Sequence, residues 1–115
     1  MLALYAVAAW AHPILKKVAE DSSARPTIMV TNSHLWNDPA PPIFALSLTK
    51  AAQHNMVRSL AMHCNDHGIH VCLLSPCGQV DPGNKSINPK NIAEEGWKLY
   101  AQKKEEWKLE TRIEE

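Results

Sequence analysis

Glycine is scarce in this chain: four in 115 residues, none in a G-x-G-x-x-G arrangement. A turn that lets a pyrophosphate reach a helix N-terminus needs closely spaced glycines, so these residues hold no such turn. Excess charge of either sign is missing too. Twelve basic residues balance twelve acidic ones, which leaves no electrostatic footprint for nucleic acid and no pull toward an anionic membrane. Cysteine is sparse and odd in number, Cys64, Cys72 and Cys77. That does not fit a secreted disulfide framework, and a reducing compartment, the cytoplasm, is expected. No apolar run reaches the ~20 residues a membrane-spanning helix requires. Neither C-x-x-C nor H-E-x-x-H occurs, the spacings that would mark a zinc site.

What is present suits a soluble domain. With 45% hydrophobic and 21% charged residues, residues 1–115 have room for one domain that buries roughly two-thirds of its unfolded surface. Leu2 to about Val18 reads as a helix, apolar on nearly every face until Lys16 and Lys17, and so is expected to be buried or packed in an interface. Its short apolar start also resembles the core of a signal peptide. It has no positively charged flank, and Pro13 stands where a cleavage site should finish, so the buried helix is the preferred reading. A secreted binding protein with a cleaved leader is the competing one.

Thr27–Thr31, TIMVT, is a β-branched and apolar run of buried-strand type. A proline-rich loop leads to a helix over 43–66, on which Ala52, Met56, Leu60 and Cys64 recur every four residues, with Val57 and Ala61 widening the stripe. Gly68 suits its C-cap. Residues 69–74, IHVCLL, read as a second buried strand, and 75–88 as a loop. Asn88 and Pro89 supply an N-cap and first-turn proline for a last helix through roughly Trp107. Trp97, Tyr100 and Trp107 are its candidate buried stripe. The charged end, KLETRIEE, is expected to fray. Strand, helix, strand implies a parallel right-handed βαβ unit and an α/β class. About two strands and three helices make a thin, partial doubly wound sheet.

Six histidines invite a metal hypothesis, since His63 and His67 are four apart, with Cys64, His70 and Cys72 near in sequence. The spacings match no metal motif, and Cys64 would face away from the His63/His67 edge, so no metal site is assigned. Cys72, within a strand, reads as a small buried hydrophobe. Cys77, in a loop, is the thiol whose exposure matters.

Four segments in order carry a resemblance. AHPILKK (11–17) leads to TIMVTNS; ALSLTKAAQHNMVRSLAM forms the long helix; HGIHVCLLSPCGQV is a strand and its loop; NPKNIAEEGWKLY is a late helix. Together they resemble the C-terminal half of a short-chain dehydrogenase/reductase, in a divergent, fungal branch. The resemblance implies a Rossmann-like fold without the N-terminal dinucleotide-binding half, and NAD(P) as cofactor with a lean to NADP. It also implies a carbonyl or alcohol substrate in specialised metabolism, and a homodimer through helices 2–18 and 43–66.

The resemblance further implies that Ser33 orients substrate and that Lys50 binds the nicotinamide ribose and lowers the pKa of a catalytic tyrosine four residues before it. Gly78 and Val80 would touch the nicotinamide amide through backbone. A nearby ammonium favours a phenolate, and i, i+4 spacing puts both groups on one helix face. Here that tyrosine position is Leu46, which cannot transfer a proton; Ser47 points about 100° away on a helix. Cys77 replaces the usual proline of the loop, and Pro82 a common cofactor-contacting threonine. Leu46 and Ser33 also have plain readings, as core packing and as a cap after the strand. Two functional readings therefore stand: an NAD(P)-dependent oxidoreductase, or a non-catalytic pseudo-enzyme that at most dimerises.

Overall fold

The computed structural model describes residues 1–115. Helix α1 (Leu2–Val18) is followed by strand β1 (Thr27–Thr31), helix α2 (Phe44–Cys64), strand β2 (His70–Pro76), helix α3 (Pro89–Tyr100) and strand β3 (Glu110–Ile113), with short 3-10 turns between them. The sheet order is β1-β2-β3, and both pairings are parallel, with Thr27 opposite His70 and Leu73 opposite Glu110. Helices α1 and α2 cover one face, and α3 covers the other.

The alternation of β2 builds both layers. Val71 and Leu73 pack with Val57, Ala61 and Cys64 of α2, while Cys72 and Leu74 pack with Ile87, Leu99 and Ile113. Every residue of β2 is buried, as a central parallel strand requires. β1 departs from expectation. Its apolar residues are only half-buried, because it has one neighbouring strand and sits at the sheet edge.

Several expectations need correction. The charged tail does not fray: Glu110–Ile113 forms β3, whose Ile113 seals the second core cluster. The last helix ends at Tyr100, not near Trp107. Trp97 is 67% exposed, and Ile92 and Leu99 make the buried contacts of α3 instead. Gly96 lets that helix approach β2 closely, since a Cβ there would stand 3.1 Å from Leu74. On α2 the buried stripe runs Ser47, His54, Val57, Ala61 and Cys64, rotated from the expected line. Helix α1 is not buried all round. It docks through Leu4, Ala8 and Leu15 and leaves Leu2, Tyr5, Trp10 and Ile14 exposed.

Local signals hold where backbone chemistry dictates them. Gly68 adopts φ +79° beside Ala19, a left-handed turn that glycine takes without steric cost. The Asn88 side chain accepts from the Asn91 N–H at 2.8 Å, capping α3 with Pro89 in the first turn.

Candidate functional site at the strand ends

In open α/β sheets, ligands bind beyond the carboxyl ends of the strands. Ser33, Lys50, Gly78 and Val80 all lie at that end. Ser33 follows β1 by two residues, and its Oγ accepts from the Leu35 N–H at 3.1 Å, capping the turn His34–Trp36. The capping role weighed from sequence is thus the contact the hydroxyl makes. Its neighbour Asn32 is buried, donates through Nδ2 to the Lys50 carbonyl at 3.1 Å and accepts the Ser33 N–H at 2.7 Å. One amide therefore ties the end of β1 to the first half of α2.

Lys50 is half-buried, and its Nζ donates to the Thr31 carbonyl at 3.2 Å. Its ammonium thus meets the end of β1 in a solvent-exposed contact. Leu46, one turn earlier on the same helix face, is 46% exposed, which corrects the expectation that it packs in the core. The buried member of that turn is Ser47, whose Oγ accepts from the Ala40 N–H at 3.2 Å and fixes the loop before α2.

Gly78 and Val80 lie on the exposed loop after β2. The Cys77 N–H donates to the Ile113 carbonyl at 2.8 Å, so β3 sets where that loop departs from the sheet. Asn84 Nδ2 donates to the Gln79 and Ile87 carbonyls at 2.9 and 3.0 Å. Cys77 is half-buried, and its thiol donates to the Ser75 carbonyl at 3.3 Å. Cys72 is fully buried, and burial pushes its thiol up to about 12, which makes it an inert small hydrophobe.

Sequence reading missed a polar cluster beneath α2. His54, one turn beyond Lys50, stacks on Trp36 with ring centroids 3.8 Å apart, and its Nε2 lies 3.9 Å from Glu110. Ser75 donates to the other Glu110 oxygen at 2.7 Å. Burial lowers the His54 pKa first, with Arg58 acting the same way and Glu110 opposing. His54 is therefore neutral near pH 7, and its approach to Glu110 is a polar contact, not an ion pair. The sequence signal was the i, i+4 step from Lys50 to His54, but Glu110 lay in a strand not recognised.

Of the other groups considered for metal binding, His70 stacks flat on Trp107 at 4.7 Å and meets the Lys108 carbonyl at 3.1 Å. It and Cys72 serve the core. His63 and His67 instead acquire a third imidazole, His12 of α1, which lies 51 positions before His63 in the sequence and escapes any spacing argument.

No family model matches the chain. An oxidoreductase, asL5, of the fungus Sarocladium schorii is 33% identical over 76 residues, covering 66% of this chain and 29% of that protein. A short-chain dehydrogenase from Rhodopseudomonas palustris superposes on 91% of this chain with a TM-score of 0.68 at 21% identity. The chain spans 42% of that dehydrogenase. Over the superposed residues it thus shares that dehydrogenase's fold, three parallel strands and three helices of a Rossmann-like α/β architecture.

Proposed function

We propose that this short-chain dehydrogenase/reductase-like chain carries the substrate and ribose side of an NAD(P)-linked oxidoreductase site for a carbonyl or alcohol. On its own it does not turn over. Leu46 carries this reading: it presents hydrocarbon, half exposed, one turn before Lys50, where the reaction needs an acid. Lys50 fits a ribose-binding role, since its ammonium sits at the carboxyl end of β1. Gly78 and Val80 offer exposed backbone for an amide. No side chain at the Leu46 position can move a proton, so the residues present fit the nicotinamide cofactor in part only. Bound, that cofactor would supply hydride. NADP is the preferred form in this reading, and the setting is the cytoplasm, where three free thiols persist.

The deciding experiment is fluorescence titration with NADPH and NADH, with carbonyl-reductase assays on the chain, a Leu46→Tyr variant and a Leu46→Tyr/Lys50→Ala variant. Weak cofactor binding without turnover is expected for the native chain. Leu46→Tyr should gain turnover that Lys50→Ala removes. Native turnover lost on Lys50→Ala would overturn the non-catalytic reading, and no binding by any variant would overturn the cofactor reading for this chain.

A second reading rests on the apolar faces of α1 and α2. Tyr5, Trp10, Ile14, Phe44 and Leu48 are large apolar residues exposed on these two helices, and exposed apolar surface can mark an interaction site. It fits a dimerisation module that pairs through helices 2–18 and 43–66 with a second copy. Sedimentation velocity tests it: a monomer at all concentrations removes it.

A further inference from the structure

Away from the strand ends, three imidazoles from three helical segments converge. His12 lies on α1, His63 in the last turn of α2 and His67 in the 3-10 turn Asn65–His67. One ring nitrogen from each lies within 4.8 Å of the other two. His12 Nε2 stands 3.3 Å from His67 Nδ1. The ring centroids are 5.4, 5.5 and 5.0 Å apart, and the planes are tilted or edge-on, not stacked.

Those dimensions resemble a ligand set. With Zn–N bonds of about 2.0–2.1 Å, two nitrogens of a tetrahedral zinc site stand about 3.3–3.4 Å apart. The His12–His67 edge already has that length, and His63, exposed on the helix surface, can reach the same point by a change of rotamer.

Metal binding requires neutral imidazoles. Cys64 is next to His63 but buried in the core cluster with Val57 and Ala61, so it stands outside the ligand set. Three imidazole nitrogens suit zinc, nickel or copper, and not magnesium or calcium.

The placement gives such an ion something to do. Helix α1 has a single fully buried residue, Ala8, with Leu4 and Leu15 partly packed. The His12–His67 contact is its one side-chain hydrogen bond to the rest of the chain. His12 and His63 also line an apolar cavity of about 210 Å³ between α1 and α2, with Tyr5, Met56 and Leu60. Packing alone holds the helix loosely. We propose that His12, His63 and His67 bind one divalent transition-metal ion, zinc in first place, with water as fourth ligand, and that the ion staples α1 to the end of α2. Closing a chain segment of this length removes much unfolded-state freedom, which would make the staple stabilising.

The test uses the full chain with zinc chloride in a non-chelating buffer. Calorimetry should give one site of about micromolar affinity or better. Cobalt(II) should give the intense visible bands of a tetrahedral centre. His12→Ala, His63→Ala and His67→Ala should each weaken binding about a hundredfold or more, since even outer-shell changes cost 10–100-fold. His34→Ala should leave binding unchanged. His63 is exposed, so its variant keeps the test valid if the other two fail to fold. Zinc should also slow amide exchange in α1. No saturable binding up to about 1 mM, or binding that survives all three substitutions, overturns the proposal.

Discussion

The buried side chain of Asn32 bridges two segments, donating to the Lys50 carbonyl at 3.1 Å and accepting from the Ser33 N–H at 2.7 Å. The Asn32 N–H itself donates to the Leu74 carbonyl at 3.0 Å, continuing the β1–β2 ladder one step past the strand. A single residue thus holds the sheet end, the Ser33 turn and the Lys50 turn in one relation. Asn32→Ala leaves the part-buried Ser33 N–H without this acceptor, which costs about 1–3 kcal/mol. Urea denaturation measures it. An unchanged midpoint would mean that the bridge contributes nothing.

Leu46 and Ser47 are neighbours with opposite roles, and substitution should separate them. Leu46 is 46% exposed, so Leu46→Tyr should change stability by no more than about 0.5 kcal/mol, the usual range for surface positions. Ser47 is buried and accepts the Ala40 N–H. Ser47→Ala strands that donor and should cost about 1–2 kcal/mol. Thermal melts of the two variants give the comparison; equal losses would contradict the exposure assigned to Leu46.

The same pair explains what the sequence could and could not reveal. Elements with strong local chemistry were legible: the TIMVT strand, the Gly68 stop, and the Asn88–Pro89 start all appear where backbone and capping rules put them. Burial was not, because it depends on partners. A helix apolar on all sides, such as α1, says nothing of which side meets the sheet, and Leu46 and Trp97 looked like core until the rotation of their helices was known. The strand Glu110–Ile113 was hidden by charge: Glu110 and Arg112 alternate with Thr111 and Ile113, and only pairing with β2 makes that an edge strand. The His12–His63–His67 and His54–Glu110–Ser75 clusters both join distant segments, which no spacing rule can reach.

Acid should destabilise the fold through His54. Burial holds its pKa below the ordinary 6.5, so between the two values the unfolded chain binds more protons than the folded one. Stability from this group is therefore complete above about pH 6.5 and falls as the pH drops below it. His67 and His70, also lowered, act in the same direction. The lowered carboxylates Asp21 and Glu115 act only below their ordinary values of 3.8 and 4.5, so they do not confuse a comparison of pH 7.5 with 5.5. The urea midpoint should fall over that interval, and His54→Gln should lessen the fall. Glu110→Gln should steepen it, because Glu110 is the one group favouring the His54 cation. Equal midpoints at both pH values would refute the assignment.

The loop carrying Gly78 and Val80 returns to α3 through a carboxylate that collects backbone donors. Glu115 accepts from the N–H groups of Lys85, Ser86 and Ile87 at 2.6, 3.0 and 2.8 Å. Those bonds to Ile87 and Ser86 are the main reasons its pKa lies below the ordinary 4.5. Successive N–H groups in such a turn form a concave anion cradle, here filled by the chain's own side chain. Ile87 is buried against Leu99 and Ile113, so the cradle also sets how the loop enters the second core cluster. Glu115→Ala should speed amide exchange at residues 85–87 by roughly tenfold and leave the rest of the chain unchanged. Exchange in β2 should not change. Glu115→Gln, which keeps an acceptor but removes the charge, should fall between, because charge-assisted hydrogen bonds are about twice as strong as neutral ones. Acceleration spread evenly over the sheet would instead mean that Glu115 acts on global stability and not on this loop.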